Sequence, residues 1–433
     1  MDSDLSNKIP DEILTCILSR LSMKDAAKTS VLSRRWEILW KFYNSCLDFD
    51  DMETKVLLFQ GQKQFDMEEE KYIRWVNQVV VSHRGSTIEQ FRVSFDLERN
   101  KLWKPFKDMD EMYSFPTPWR WLGHDLKSLT SLRLESVNVT EQHVSYFLSD
   151  CPLLEELSIA GAPSLCKLRV VGHQSSLKLK YLEIRDCSVL KNVEVSAAKN
   201  LVYFCQGLFA TKMHFQDVPK LSSVSLERGD YTDHLVATSF KELPFPVSQL
   251  QMLKLDLFDM MCFRPFMFPW EARKKFAQLT NLHQLELSFV VLNEQSMLFV
   301  GLLLCASPRL HKLVLKYQID WYATEIQPYA WWVDFRVGKT HWKQVVGCKY
   351  ECLKEVEFLG WNGLKADVEL LTHLIGAAES LEVITIDPCD PFRVGVQKAL
   401  TQPPKVIAAE EDDRNRAREL EAKLPQTIKF VVL

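Results

Sequence analysis

One local pattern dominates this chain: an apolar residue, two variable positions, an apolar residue, one variable position and a third apolar residue. It occurs as Ile88/Phe91/Val93, Leu129/Leu132/Leu134, Leu154/Leu157/Ile159, Leu165/Leu168/Val170, Leu179/Leu182/Ile184 and Leu190/Val193/Val195. It continues as Leu221/Val224/Leu226, Leu250/Leu253/Leu255, Leu282/Leu285/Leu287, Leu310/Leu313/Leu315, Leu353/Val356/Phe358 and Leu381/Ile384/Ile386. The last two apolar positions alternate with polar ones, which is the period of a strand with one buried face. A unit this short cannot bury that face alone, so the units stack on one another. The residue between the two inner apolar positions then points outward, onto the exposed face of a sheet.

Spacing tells what joins the strands. Several units lie about 25–32 residues apart, room for a strand plus a helix. Thr140 can cap a helix over Glu141 to Leu148, and Asn293 one over Glu294 to Cys305. Between Leu154 and Val195 the strands recur every 11–14 residues, room for a strand and a turn. An asymmetric stack is expected there, its outer layer thin or missing. The pattern resembles the strand consensus of leucine-rich repeats, and Cys151-Pro152-Leu153-Leu154-Glu155-Glu156-Leu157 resembles that family's repeat junction. Ser307 to Leu313 is a weaker version of the same junction.

The first fifty residues have a different period. Pro10 stands at a first helical turn, where its missing N–H costs nothing, and Ile13, Leu14, Ile17, Leu18 and Leu21 follow at helical spacing. Ser22, with Asp25 three residues on, can cap a second helix, thin along Ala26, Ala27 and Ser30. Ser33 can cap a third, bearing Trp36, Leu39 and Trp40. Three such helices bury too little apolar surface for a secure core, so a partner or the rest of the chain must complete it.

The run Ile9-Pro10-Asp11-Glu12-Ile13-Leu14, then Ile17 to Leu21 and Thr29-Ser30-Val31-Leu32-Ser33-Arg34-Arg35-Trp36, resembles the F-box in its plant version. Leu47-Asp48-Phe49-Asp50 matches the short strand that follows it in that group, and Ile9-Pro10 stands where the family usually has Leu-Pro. The resemblance implies a Skp-family adaptor as partner and, through it, a cullin–RING ubiquitin ligase. It makes Ile9, Pro10, Ile13, Leu14 and Ile17 an adaptor-facing edge and puts Val31, Leu32 and Trp36 in the adaptor's groove. For some of these, Trp36 above all, a place in the segment's own core is an equal reading.

After Asp50 comes a polar stretch, and Phe65, Tyr72, Trp75, Val76, Val79 and Val80 then mark one amphipathic linking helix. From His341 the texture changes. Cys352 to Gly360 reads as a strand, Val368, Leu371, Leu374 and Ile375 lie on a helix, and Ser380 to Ile386 is a second strand. This unit, with its Gly360-Trp361-Asn362-Gly363 turn, resembles the FBD region of plant F-box/leucine-rich-repeat proteins. Glu410 to Asp413 reads as a solvated, charged helix start, and Thr427 to Leu433 as a closing edge strand. The expected fold is α/β: a three-helix F-box over 1–50, an irregular solenoid with a linking helix over 51–340, and an FBD-like cap over 341–433.

Chemistry is hard to find. A net charge of −4 with no Lys/Arg block argues against nucleic acid. There is no GxxxxGK[ST], GxGxxG or GxSxG, so no phosphate cradle or nucleophile elbow. No cofactor and no metal are expected, since His341, Cys348 and Cys352 lack a fourth ligand. The 11 cysteines contain no CxxC pair, and Cys151, Cys187, Cys205 and Cys305 read as free, buried small hydrophobes of a reducing compartment. The longest apolar run, Met297 to Ala306, is too short to span a bilayer, so a cytosolic or nuclear protein is expected.

Two aromatic-rich stretches interrupt the repeats, one from Phe258 to Trp270 and one around Trp321 to Trp342. Phe263, Phe266, Trp321, Tyr322, Tyr329, Trp331 and Trp332 are the candidate target contacts, against core packing as the plainer reading. The function expected is a non-catalytic substrate receptor of an SCF-type ubiquitin ligase, with a protein target on the repeats. The alternatives are a small-molecule co-receptor in such a ligase and an adaptor-binding scaffold without ligase activity.

Overall fold

The computed structural model describes residues 9–42, 46–61, 65–84, 87–94, 126–137, 139–172, 177–208, 212–229, 246–256, 278–291, 300–301, 303–319, 348–363, 365–392, 404–421 and 424–433. The chain forms two compact units, Met1–Leu201 and Val202–Leu433.

In the first unit, three short helices come first: α1 (Asp11–Leu18), α2 (Met23–Lys28) and α3 (Arg34–Leu39). The expected caps are present. Ser22 Oγ accepts the Asp25 N–H at 3.1 Å, and Ser33 Oγ accepts the Trp36 N–H at 3.4 Å. Strand β1 (Cys46–Asp50) follows, then α4 (Met52–Phe59) and α5 (Phe65–Ser82). The polar stretch after Asp50 concealed α4, whose N-cap is Asp51, accepting the Thr54 N–H at 3.3 Å.

Strands β2 (Gln90–Ser94), β3 (Ser131–Glu135), β4 (Glu156–Ala160) and β6 (Tyr181–Arg185) add to β1 in one parallel sheet. Their alternation is as read. Leu132, Leu134, Leu157, Ile159, Leu182 and Ile184 are each at most 1% exposed. Helix α6 (Glu141–Asp150) joins β3 to β4, starting where Thr140 was expected to cap it.

Between β4 and β7 the spacing expectation needs correction. The outer layer is thin, but it is not missing. Strands β5 (Lys167–Val171) and β7 (Asn192–Ser196) pair in parallel as a second sheet, alternating in sequence with β4 and β6. Leu168, Val170, Val193 and Val195 bury as fully as their counterparts on β4 and β6. Each half-coil of 11–14 residues has room for a strand but no helix, so the second layer is built of strands. Strands β3, β4 and β6 each then turn through a left-handed residue: Ser136, Gly161 and Asp186 have φ of 57°, 63° and 51°. Asp tolerates that region better than most non-glycine residues.

The second unit is a parallel sheet in the order β8 (Tyr203–Leu208), β10 (Ser223–Gly229), β11 (Met252–Asp256), β12 (Gln284–Val291), β13 (Lys312–Ile319), β14 (Glu355–Leu359), β15 (Val383–Asp387) and β16 (Lys429–Val432). Strand β9 (Lys212–Gln216) lies between β8 and β10 in sequence and sets Phe215 edge-on to Phe204, with ring centres 4.9 Å apart. Helices α7 (Lys365–Ala377) and α8 (Pro404–Glu421) belong to the last repeats. Side-chain amides stitch successive turns. Gln249 Nε2 donates to the Val218 and Leu221 carbonyls, and Asn281 Nδ2 to that of Ser248.

Four further expectations change. The outward middle residues Ser225, Glu286 and Val314 are buried at 1%, 9% and 4% exposure, so this face is not the open one that alternation alone implies. Within Glu410 to Asp413, Glu411 and Asp412 are solvated, but Glu410 and Asp413 are buried, because they sit inside α8 rather than at its start. Cys305 is half-buried and disulfide-bonded to Cys348, with Cα atoms 5.8 Å apart. A sequence separation of 43 hides this pairing from the sequence. Among the described cysteines outside the disulfide, Cys151, Cys187 and Cys205 are buried, while Cys16 and Cys166 are exposed. The helix expected over Glu294 to Cys305 falls partly outside the described residues; residues 300, 301 and 303–306 are helical.

The Gly360-Trp361-Asn362-Gly363 turn is tight for a visible reason. Gly360 has φ of +87°, and a Cβ there would stand 2.0 Å from the Tyr317 carbonyl oxygen. Trp361 beside it is fully buried, edge-on to Phe358 at 5.3 Å.

Candidate partner-docking surface

The N-terminal helices divide their apolar residues cleanly. Leu14 and Leu18 of α1 are fully buried, and Trp36 and Leu39 of α3 are 8% and 9% exposed. Ile13 and Ile17, on the other side of α1, are 52% and 42% exposed. Val31, closing the short turn Thr29–Val31, and Leu32 after it are 85% and 64% exposed. Ile38 and Phe42 are exposed as well. Six of the fourteen large apolar side chains exposed among the described residues thus lie between positions 13 and 42. Scattered single apolar residues are normal on a surface; this density in so short a segment makes it the candidate docking surface.

The edge is held in place by Arg35. Its Nε donates to Asp11 Oδ1 at 2.7 Å and its Nη2 to the Ile9 carbonyl at 2.5 Å, so α3 clasps the start of α1. Pro10, the N-cap, is exposed, and Ile9 is half-buried. The structure therefore presents Pro10, Ile13, Ile17, Val31 and Leu32 to solvent and folds Leu14 and Trp36 into the interior beneath them. Sequence reasoning missed Ile38 and Phe42. Ile38 is two residues from Trp36, hence across the helix from it, and that offset was the available signal.

The repeat strands offer a polar, self-compensated face. In the first unit Arg92 pairs with Asp50 at 2.8 Å, and Arg133 pairs with Glu156. In the second, consecutive strands form a ladder. Lys254 lies 3.3 Å from Glu227 and 3.5 Å from Glu286, and Lys316 lies 2.8 Å from Glu286. Burial opposes the Lys254 charge, yet the two glutamates outweigh it and raise its pKa. Lys312 likewise sits between Glu355 and Glu357.

Burial pushes the Cys151 thiol up to about 12 and that of Cys187 to about 11, so both stay protonated at neutral pH. Among the described residues no three His, Cys, Asp or Glu side chains are grouped to hold a metal. In the expected trio, Cys348 is committed to its disulfide, Cys352 is free, and His341 lies outside the described residues. The candidate target contacts Phe263, Phe266, Trp321, Tyr322, Tyr329, Trp331 and Trp332 also lie outside them.

Comparison with known proteins agrees with both halves. Residues 7–47 match the F-box domain, and residues 117–433, well over half the chain, match the At1g61320/AtMIF1 LRR domain. Relatives in Arabidopsis thaliana include the putative F-box protein At3g58860, 30% identical over 37% of this chain and 43% of that protein. The probable FBD-associated F-box protein At5g38565 is 28% identical over 42% of this chain and 52% of that protein. F-box/LRR-repeat protein 13 is 25% identical over 56% and 54% respectively. The chain spans about half the length of these curated relatives. An N-terminal F-box followed by parallel strands of the matching repeat domain places the chain in the plant F-box/leucine-rich-repeat family.

Proposed function

We propose that this protein is the substrate-recognition subunit of an SCF-type ubiquitin ligase, docking on a Skp-family adaptor through Pro10, Ile13, Ile17, Val31 and Leu32. Ile9 borders that edge, while Leu14 and Trp36 support it from beneath. The observation that carries this reading is the exposure of Val31 and Leu32 beside a fully packed helical core. Apolar side chains at that level of exposure gain most from burial against a partner. The repeats supply the target-binding surface, and the adaptor brings in a cullin and its charged ubiquitin-carrying enzyme. The chain's own contribution is then positioning, which raises the effective concentration of a target lysine near the thioester. Burial keeps the Cys151 and Cys187 thiols protonated, so this reading gives neither a nucleophilic role. No helix among the described residues is long and apolar enough to cross a membrane, which is compatible with action in the cytosol or nucleus.

The test is capture of a recombinant Skp-family adaptor by the full chain, with Val31→Asp/Leu32→Asp as the paired variant. Binding by the wild type and its loss in the variant is the expected result. A wild-type chain that captures no such adaptor overturns the reading.

A further inference from the structure

We propose that α4 is a strut that fixes the direction of the F-box against the first repeat strands, with Lys24 as its positioning residue. The relay begins on α2, where the Lys24 ammonium pairs with the Asp51 carboxylate and lies 5.4 Å from the centre of the Trp75 ring. Asp51 is buried and at the same time caps α4. One turn along α4, the Lys55 side chain is only 7% exposed. It donates to Asp50 Oδ1 of β1 at 2.8 Å and to Ser94 Oγ of β2 at 2.6 Å. Ser94 Oγ in turn donates to Glu135 of β3. Trp75 completes the seat, edge-on to Phe49 of β1 at 5.2 Å. One chain of polar contacts therefore runs from an F-box helix through α4 to three successive strands.

Two features separate this from ordinary stabilisation. The face that α2 buries is small, Met23 and Ala26, and a flexible methionine fixes a register only weakly. A directional ion pair sets one, whereas replacing such a pair by apolar residues often leaves stability unchanged, so stability alone is a poor reason for it. In addition, none of Pro10, Ile13, Ile17, Val31 or Leu32 takes part in the relay, so docking and orientation are carried by different residues. The consequence rests on the receptor reading above: a target on the repeats would be presented at one angle to the ligase, and a loosened strut would lower transfer without lowering adaptor affinity.

The test uses the two exposed native thiols, Cys16 on α1 and Cys166 just before β5, as spin-label sites in the full chain. Cys46, Cys262, Cys352 and Cys389 are replaced by serine in this background. Double electron–electron resonance should give a narrow distance distribution that broadens in Lys24→Ala and in Asp51→Asn and stays narrow in Lys24→Arg. Asn caps helices as well as Asp does, so Asp51→Asn removes the charge while keeping α4 folded. Hydrogen exchange over α1 and β3 should match the wild type in both variants. Adaptor affinity should stay within about twofold of wild type, the scatter expected of a change that touches neither partner. Unchanged widths in both variants would overturn the strut. So would a parallel loss of adaptor affinity, which would move Lys24 into the docking surface. If the wild type binds no adaptor, the receptor reading falls while the distance measurement still decides the strut.

Discussion

The F-box helices and the repeat strands use the same residue types to opposite ends. Leu168 and Val170 on β5 are fully buried, whereas Leu32 and Val31 are 64% and 85% exposed. In the strands, every apolar residue at an inward position has a neighbouring coil to pack against, because the next repeat supplies the same face. In the F-box, the three helices use Leu14, Leu18, Trp36 and Leu39 to fill their own small core and have nothing left to cover the rest. A solenoid thus satisfies its hydrophobic surface internally, while the F-box leaves part of its own for another molecule.

That contrast can be broken most forcefully in a strand. Leu285, near the start of β12, is fully buried. Leu285→Ala should cost about 2–5 kcal/mol by loss of burial and creation of a cavity, read as a fall in thermal or urea unfolding midpoint. A cost near zero would mean that the repeat core is loosely packed. The converse split is expected of Val31→Asp/Leu32→Asp. Adaptor binding should weaken by more than about 2 kcal/mol. The unfolding midpoint should hardly move, as expected of exposed positions within about 0.5 kcal/mol.

One inward position violates the rule. Gln206 on β8 stands where the repeat calls for an apolar residue; it is fully buried, and neither of its amide atoms has a hydrogen-bond partner among the described residues. Gln206→Leu should therefore stabilise the second unit by about 1–3 kcal/mol, the desolvation cost that the amide now bears. A lower unfolding midpoint would show that the amide is needed where it stands.

The smallest effect is a pH dependence at α6. His143 Nδ1 accepts the Thr140 N–H at 3.2 Å, which requires an unprotonated Nδ1, and burial lowers its pKa below the ordinary 6.5. A depressed folded pKa contributes stability that is complete above the unfolded value and is lost as pH falls through the folded one. Amide exchange at the start of α6 should accordingly speed up below neutrality in excess of its intrinsic pH trend. His143→Ala should remove that extra dependence; its persistence in the variant would assign it elsewhere.

Legibility followed the range of the interaction. Caps at Ser22, Ser33 and Thr140 were readable because a cap reaches only a few residues along the chain. Strand β8 was not, although Leu201, Phe204 and Gln206 keep the repeat spacing, because a polar third residue breaks the apolar pattern. Helix α4 escaped for a related reason: Lys55, a residue expected in solvent, is buried by partners 5 and 39 residues away. The F-box motif announced a partner surface, yet only packing separated Leu14 and Trp36 beneath it from Ile13, Val31 and Leu32 upon it.

Apart from β8 and β9, the sequence by itself determined where the repeat strands run and which of their side chains turn inward, since side-chain alternation is a property of a single extended segment. It determined the F-box segment in the same way, through helical spacing and capping residues. Tertiary structure decided that β5 and β7 form a second layer while β4 and β6 join the first, although all four carry one pattern. It also decided that Ser225, Glu286 and Val314 are closed off from solvent, that Cys305 meets Cys348, and that Lys24 reaches Asp51. These outcomes depend on which distant segments are brought together, and a local pattern holds no information about its neighbour across the sheet.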